Sequence, residues 1–291
     1  MLCLKQKAKR EGAHPMTLIS SDRPVVLVGA GKMGGAMLSG WLNNGTPGNH
    51  FTVVDPHPCD EMVTMCRAQN VSYLSSVSDD LTPSVVIVAV KPQMMQDVLP
   101  SLIPFVQADP VFVSVAAGVS VASFEKIFGS KVGVVRAMPN TPAQVGRGIT
   151  IGYATAHVSP AQKEAVADLL AVTGVFDWVE AEALIDAVTG VSGSGPAYLF
   201  YMVEAMAVAG IEAGLEPDLA MKLARATVEG AGELLYQSDL DAATLRQNVT
   251  SPGGTTAAAL NVLMAEDGGL GPLMTKAIGA AKKRAEELGE E

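Results

Sequence analysis

The chain is poor in aromatic, cysteine and histidine residues. Only 5% of its 291 residues are aromatic although 48% are hydrophobic, so the core must be built from Ala, Val, Leu, Ile and Met side chains. Its three cysteines have no CxxC spacing, and its four histidines are scattered singly. Disulfide frameworks and metal sites need paired or clustered residues. We therefore expect a cytoplasmic protein of a reducing compartment, without a metal centre.

Positive charge and long hydrophobic runs are also scarce. The chain has 20 Lys and Arg against 30 Asp and Glu, which gives a net charge of −10. A face for nucleic acid or for an anionic membrane surface needs an excess of positive charge. A membrane-spanning helix needs about 18 consecutive apolar residues, and the sequence has no such run. We expect neither nucleic acid nor membrane as a partner, which leaves small-molecule ligands.

A glycine-rich turn follows the first strongly apolar segment. Residues 25–28 read VVLV, typical of a buried parallel strand, and GAGKMG and an apolar helical pattern follow at once. In such a GxGxxG turn the first glycine makes the turn, the second lets a pyrophosphate approach, and the third allows close helix–strand packing. The residues predicted to hold a dinucleotide are Gly29, Ala30, Gly31, Lys32, Met33 and Gly34. The alternative is a glycine-rich turn in some other α/β protein.

Asp55 stands where an acidic residue completes this pattern. It ends the apolar run 51–54, 21 residues after Gly34, and its carboxylate is expected to accept hydrogen bonds from the adenosine ribose hydroxyls. The same charge would repel a ribose 2′-phosphate, and no Lys or Arg lies between Asp55 and Arg67. These residues alone favour NADH. In the alternative, Asp55 points away and the phosphate sits elsewhere.

Strand-like segments alternate with helix-like segments up to about residue 180, and only helical patterns follow. This order predicts a doubly wound, mostly parallel sheet and then a helical domain. The first helix of that domain is expected over 183–188, with a break at 189–196. We predict a disordered extension over 1–22, a dinucleotide-binding domain over 23–181, and a helical dimerisation and substrate-binding domain over 182–291.

The predicted helix from Ala197 to about Ala213 is apolar almost all round. Burial on every side fits a central helix in a subunit interface. We therefore expect a homodimer, with higher assemblies of dimers as an extension of it. The alternative is a core helix within one chain.

A second glycine loop, NVTSPGGTT at residues 248–256, lies near the other end of the chain. Ser251 and Pro252 mark a turn, the two glycines free the backbone, and an Ala/Leu-rich helix is expected to begin at Thr255 or Thr256. Unpaired N–H groups and the positive end of a helix dipole favour an anion there. The alternative is an ordinary capped helix start, with the Thr256 hydroxyl as a cap.

Five segments together resemble the pyrroline-5-carboxylate reductase family. They are VAVKP at 88–92, SVAAG at 114–118, RAMPNTP at 136–142, LIDAVTGVSGSGPAY at 184–198 and NVTSPGGTT at 248–256. The likeness runs in order from about Arg23 to Leu288. It implies a Rossmann domain, a helical dimerisation domain, and reduction of Δ1-pyrroline-5-carboxylate to L-proline by NADPH or NADH, the last step of proline synthesis.

The resemblance also implies roles for particular residues. Thr256 would lie nearest the substrate ring nitrogen and act as the catalytic residue. Substrate binding would fall to Glu182, Ser251, Gly253, Gly254, Thr255 and Thr256. Besides the glycine turn and Asp55, the cofactor would contact Ala89, Val90, Lys91, Pro92, Ala116 and Asn248. Many relatives have a small polar residue at the position of Asp55, so the resemblance leaves the choice between NADPH and NADH open.

Two alternative functions make different demands on the sequence. A β-hydroxyacid dehydrogenase of the phosphogluconate type needs a catalytic lysine on the helix after the second domain's glycine motif. The chain has no lysine between Gly195 and Gly214, and Lys222 lies a helix too late. A non-catalytic NAD(P)-binding regulator would not need the intact SPGGTT loop.

Overall fold

The computed structural model describes residues 18–290, without the side chain of residue 290. By its internal contacts the described chain forms two units. The sheet unit comprises residues 18–194 and 279–290, and the helical unit comprises Gly195–Ile278. The domain boundary expected between residues 181 and 182 stays a prediction, since the contacts group the residues just after it with the sheet.

The extension predicted to be disordered, residues 1–22, is described only from residue 18 onward, and residues 1–17 lie outside the described residues. Ile19 is buried in the core of the sheet unit. The Arg23 N–H donates to the Ser20 hydroxyl oxygen at 3.1 Å. Residues 18–22 therefore contact the sheet unit, although they were predicted to belong to a disordered extension. Burial of the Ile19 side chain holds this segment against the sheet.

The sheet unit is built on an eight-stranded sheet in the order β3-β2-β1-β4-β5-β6-β7-β8. All neighbouring strands pair in parallel except β6 and β7. The predicted doubly wound, mostly parallel sheet is confirmed. The strands are β1 Val25–Val28, β2 Phe51–Val54, β3 Ser72–Leu74, β4 Val85–Val88, β5 Val111–Ser114, β6 Val134–Met138, β7 Gly148–Ala154 and β8 Gly174–Trp178.

Two buried clusters cover the two faces of this sheet. Val25 and Leu27 of β1 belong to one cluster, and Val26 and Val28 belong to the other. Successive side chains of a strand point to opposite faces, so a strand buried on both faces is apolar throughout. The helices of this unit are α1 Lys32–Asn43, α2 Asp60–Ala68, α3 Met95–Ser101, α4 Val121–Phe128, α5 Pro160–Ala171 and α6 Leu184–Val188.

The helix expected over 183–188 ends at Val188 as predicted, whereas much of the segment expected as a break, 189–196, is helical. A π-helical segment, Thr189–Gly193, follows α6, and α7 Gly195–Glu212 begins two residues later. Pro196 is tolerated because the first turn of a helix needs no N–H donor there. A Cβ atom at Gly193 would lie 2.4 Å from Met138 Cε, the terminal methyl group of a flexible side chain.

The helical unit carries a long apolar helix with little cover from its own chain. Ala207 is the buried residue of α7, whereas Phe200 and Tyr201 are 64% and 70% exposed. The remaining helices are α8 Pro217–Gln237, α9 Ala242–Asn248, α10 Thr255–Leu263 and α11 Leu270–Glu290. Within the described part of the chain, no helix combines the length and apolarity needed to cross a membrane.

Trp41 of α1 contacts β2 and α5 in the core of the sheet unit, so a substitution at Trp41 tests the packing of that core. Its indole N–H donates to the Leu169 carbonyl at 2.7 Å, and its ring stacks on Phe51 with centroids 4.9 Å apart. Trp41→Phe leaves a buried carbonyl unpaired and a void beside it. We expect the free energy of unfolding to fall by about 2 kcal/mol or more.

The partly exposed Trp178 provides the matched control for this change. Trp178→Phe is expected to cost less than about 1 kcal/mol. Denaturant titration at one fixed protein concentration measures both values. Equal losses in the two variants would contradict the assigned role of the Trp41 hydrogen bond.

Candidate active site

The glycine turn after β1 is shaped by two close approaches. Gly29 has φ +89°, and its N–H donates to the Val54 carbonyl at 2.9 Å. A Cβ atom on Gly29 would lie 2.8 Å from Val90 Cγ1, and one on Gly34 would lie 2.2 Å from the Gly29 carbonyl oxygen. These glycines are therefore required by the backbone, as the predicted turn and helix–strand packing demand.

Gly31 differs from these two glycines in facing open space. It is the N-cap of α1, no side chain caps that helix, and a Cβ atom at this position would meet no atom within 4 Å. The first N–H groups of an uncapped helix are free to bind an anion. The geometry fits a dinucleotide pyrophosphate, because only a residue without a side chain leaves this cradle open.

Asp55 is directed back at the glycine turn. Its Oδ2 atom accepts from the Ala30 N–H at 2.8 Å, and its Oδ1 atom accepts from the His57 N–H at 2.9 Å. The Tyr73 hydroxyl donates to the Asp55 backbone carbonyl. Burial, the charge of Asp55 and the nearby Cys66 raise the pKa of Tyr73. Asp55 does not point away from the turn, and its contact with a ribose stays a prediction.

The residues after β4 and β5 complete the same edge of the sheet. The Ala89 N–H donates to the Val28 carbonyl at 2.8 Å, and Val90 lies against Gly29. Lys91 is exposed, and Pro92 opens a short 3-10 turn. Ala116 is buried just beyond β5, the neighbouring strand. The structure therefore gathers most of the predicted cofactor residues at the edge where the strand order reverses.

A buried charge cluster at this end of the sheet was not singled out from the sequence. Arg136 on β6 is 4% exposed. Its Nη1 group donates to Glu182 Oε1 at 3.2 Å, and its Nη2 group donates to Asp186 Oδ1 at 2.6 Å. The signal in the sequence was an arginine inside the apolar strand pattern VVRAM, because a buried cation requires anionic partners.

The second glycine loop lies in the helical unit and leads into α10. Gly253 has φ +69°, and the Gly254 N–H donates to the Ser251 carbonyl at 3.0 Å. Gly254 is the N-cap, α10 begins at Thr255 as predicted, and no side chain caps it. The alternative of a helix capped by the Thr256 hydroxyl is therefore wrong. The loop presents free N–H groups, as an anion site requires.

The helix before this loop is capped in the ordinary way. The Asp241 carboxylate accepts from the Thr244 N–H at 2.8 Å and from the Thr244 hydroxyl at 3.1 Å. These hydrogen bonds lower the pKa of Asp241. Asn248 is the last residue of α9. The start of α10 thus differs from that of α9 in having no capping side chain.

The predicted substrate residues fall in different units. Glu182 belongs to the sheet unit, whereas Ser251, Gly253, Gly254, Thr255 and Thr256 belong to the helical unit, as does Asn248. Within the helical unit the loop places Thr255 and Thr256 in the first turn of α10. The contacts of all these residues with substrate and cofactor stay predictions.

A glycine turn at the switch point of a doubly wound sheet, in a chain with a second glycine turn on helices, is typical of two-domain dinucleotide-dependent oxidoreductases. Residues 24–118 match the family model described as NADP oxidoreductase coenzyme F420-dependent, and residues 182–288 match pyrroline-5-carboxylate reductase dimerisation. The chain is 38% identical to the pyrroline-5-carboxylate reductase of Pseudomonas aeruginosa, over 92% of this chain and 97% of that one. It belongs to the pyrroline-5-carboxylate reductase family.

Other relatives and solved structures agree with this assignment. The pyrroline-5-carboxylate reductase of Mycobacterium tuberculosis is 38% identical, over 91% of this chain and 96% of its own. The structure of the Coxiella burnetii reductase has a TM-score of 0.83 at 34% identity, covering 92% and 98% of the two chains. The Plasmodium falciparum reductase with NADP bound has a TM-score of 0.74 at 27% identity, covering 92% and 99%. The family resemblance and the fold class predicted from the sequence are confirmed.

Alanine substitutions at Gly31 and Gly34 distinguish an effect on ligand binding from an effect on packing. Gly31→Ala places a methyl group in open space, so we expect an unchanged melting temperature. The same methyl group fills the cradle, so the Kd for the reduced dinucleotide should rise about tenfold or more. Fluorescence titration of purified protein measures this Kd.

Gly34→Ala serves as the comparison, because its Cβ atom would collide with the Gly29 carbonyl. We expect this variant to lose thermal stability as well as dinucleotide affinity. Unchanged affinity in Gly31→Ala would remove the N-terminus of α1 from the cofactor site.

Proposed function

We propose that the protein reduces Δ1-pyrroline-5-carboxylate to L-proline with NADPH or NADH. The observation that carries this proposal is a pair of helix N-termini, α1 after Gly31 and α10 after Gly254, each preceded by a glycine turn and neither capped by a side chain. The reaction needs two anionic ligands bound at once, a dinucleotide and a substrate with a carboxylate group. Each of these anions suits one of the two helix N-termini. Membership of the reductase family supports the identity of the substrate.

The sheet unit would hold the cofactor. The backbone of the glycine turn would bind the pyrophosphate, and Asp55 would receive the adenosine ribose. The nicotinamide half would lie against Ala89, Val90, Lys91 and Pro92, with Ala116 beside it and Asn248 reaching it from α9. When bound, the reduced nicotinamide supplies the hydride.

The loop before α10 would hold the substrate. Ser251, Gly253 and Gly254 shape it, and the N–H groups at the start of α10 would bind the carboxylate. The ring nitrogen of a cyclic imine is basic enough to arrive protonated, so the Thr256 hydroxyl needs only to orient it. Glu182 would lie close to the substrate pocket. Hydride addition to such an imine requires alignment and charge stabilisation, with no nucleophile and no metal.

We propose a homodimer built through the helical unit, with higher assemblies of dimers as an extension. The exposed apolar side chains of α7 and the match of residues 182–288 to the dimerisation family model support this arrangement. Covering such a surface removes apolar area from water. We also propose that the protein works in the cytoplasm, which the absence of paired cysteine spacing favours.

The full-length protein and a coupled assay test the proposed activity. We expect oxidation of NADPH or NADH that depends on added pyrroline-5-carboxylate and yields L-proline in equal amount. A β-hydroxyacid offered with oxidised cofactor should give no reaction, because the chain lacks the lysine which that chemistry needs. Turnover of the hydroxyacid, or cofactor binding without any turnover of pyrroline-5-carboxylate, would contradict the proposal.

Thr256 is the residue on which the substrate half of the proposal depends. Thr256→Ala should lower kcat/KM for pyrroline-5-carboxylate about tenfold or more, because the ring nitrogen loses the hydroxyl that orients it. Thr256→Ser keeps a hydroxyl and should retain most of the activity. The Kd for the reduced dinucleotide should be the same in both variants. Equal kinetics in the alanine variant and the wild type would remove Thr256 from the mechanism.

Asp55 is expected to decide between the two cofactors. Its carboxylate lies beside the glycine turn, where a ribose 2′-phosphate would meet a like charge. The wild type should therefore have the higher kcat/KM with NADH. Asp55→Ser should move the NADPH-to-NADH ratio of kcat/KM toward NADPH by about tenfold. A wild type that strongly prefers NADPH would contradict this role.

A further inference from the structure

The buried cluster of Arg136, Glu182 and Asp186 joins three elements of the sheet unit. Arg136 lies on β6, Asp186 on α6, and Glu182 two residues before α6. Glu182 Oε1 accepts both from Arg136 and from the backbone N–H of Val121, the latter at 2.8 Å. Val121 is the first residue of α4, whose N-cap residue supplies no capping hydrogen bond. A carboxylate from elsewhere in the chain therefore caps α4.

These contacts bracket the loop that leads from β5 to α4. Arg136 pairs in register with Ser114, the last residue of β5. The loop begins at that point, passes through Ala116, and ends at Val121, where Glu182 holds it. Backbone pairing with β6 therefore holds the start of this loop, and the Glu182 carboxylate holds its end and ties it to the segment before α6.

Stability is a poor explanation for this cluster. Burying three charged groups carries a desolvation cost, and apolar replacements of similar volume are often as stable. The Arg136 Nε atom is buried and, in the part of the chain that the structure describes, has no hydrogen-bond partner. The cluster instead fixes the orientation of Glu182 and Asp186, because the planar guanidinium group holds its two carboxylate partners at defined angles.

We propose that Arg136 is a positioning residue for the hydride transfer, a role that rests on the proposed function. Through Glu182 and Asp186 it fixes the loop from Ala116 to Val121 and the start of α6. That loop would flank the nicotinamide, and α6 leads along the chain toward the helices that carry the substrate loop. Hydride transfer depends on the alignment of donor and acceptor carbons, so a displacement of about 1 Å can lower the rate about 100-fold.

A neutral triple variant tests this role without leaving a buried unpaired charge. It combines Arg136→Met, Glu182→Gln and Asp186→Asn, and the new amide at position 182 still offers an acceptor to the Val121 N–H. We expect kcat with pyrroline-5-carboxylate to fall about 100-fold. The melting temperature, the Kd for the reduced dinucleotide and the KM for pyrroline-5-carboxylate should stay near the wild-type values, whereas a role of Glu182 in substrate binding alone would raise KM. Lys126→Met, which removes an exposed cation from α4, is the matched control and should keep full activity.

The outcomes separate this role from the proposed function. Wild-type turnover of pyrroline-5-carboxylate supports the function, and its absence overturns both. With an active wild type, a triple variant whose kcat stays within about threefold of the wild-type value overturns the positioning role alone. A loss of kcat accompanied by an equal loss of dinucleotide affinity also overturns it, because the cluster would then serve cofactor binding. If the triple variant does not fold, Asp186→Asn decides by the same criteria, with a kcat loss of about tenfold expected.

Discussion

The close approach of helix α1 to strand β1 is the constraint on which the sheet unit depends. Gly34 lies against the Gly29 carbonyl so closely that a single Cβ atom would reach within 2.2 Å of it. This contact brings the N-terminus of α1 to the edge where the strand order reverses, beside the residues after β4. Asp55 then binds the Ala30 N–H and holds the turn in place. The proposed cofactor site follows from this packing, because Gly29 and Gly34 admit the helix and Gly31 leaves the space at its N-terminus open.

The helical unit depends on a different constraint, because much of its apolar surface is exposed. Alone, it leaves large side chains of α7 and α8 in water, among them Phe200, Tyr201 and Leu235. Exposed apolar surfaces of this kind mark interfaces in proteins. The proposed dimer would cover them, and the proposed substrate loop lies in this same unit. We infer that assembly and substrate binding depend on the same group of helices.

Patterns local in sequence predicted the fold well. The apolar strands were identified because a sheet covered on both faces needs unbroken apolar runs, and α10 begins at Thr255 as its glycines indicated. Two features were not predicted. The segment expected to break the helices, 189–196, is π-helical over Thr189–Gly193, a hydrogen-bond pattern that residue types do not specify. The partners of Arg136 lie 46 and 50 residues away, a distance at which no spacing rule applies. Positions of free N–H groups could be predicted, whereas the charge cluster needed the three-dimensional structure.

We propose that the two glycine turns bind two different anions. A crystal structure of the protein with NADP⁺ and L-proline would show both at once. We expect pyrophosphate oxygens on the backbone N–H groups that follow Gly31, and the proline carboxylate on those that follow Gly254. A proline carboxylate bound away from the start of α10, or a dinucleotide bound away from the β1 and β4 edge, would contradict this proposal.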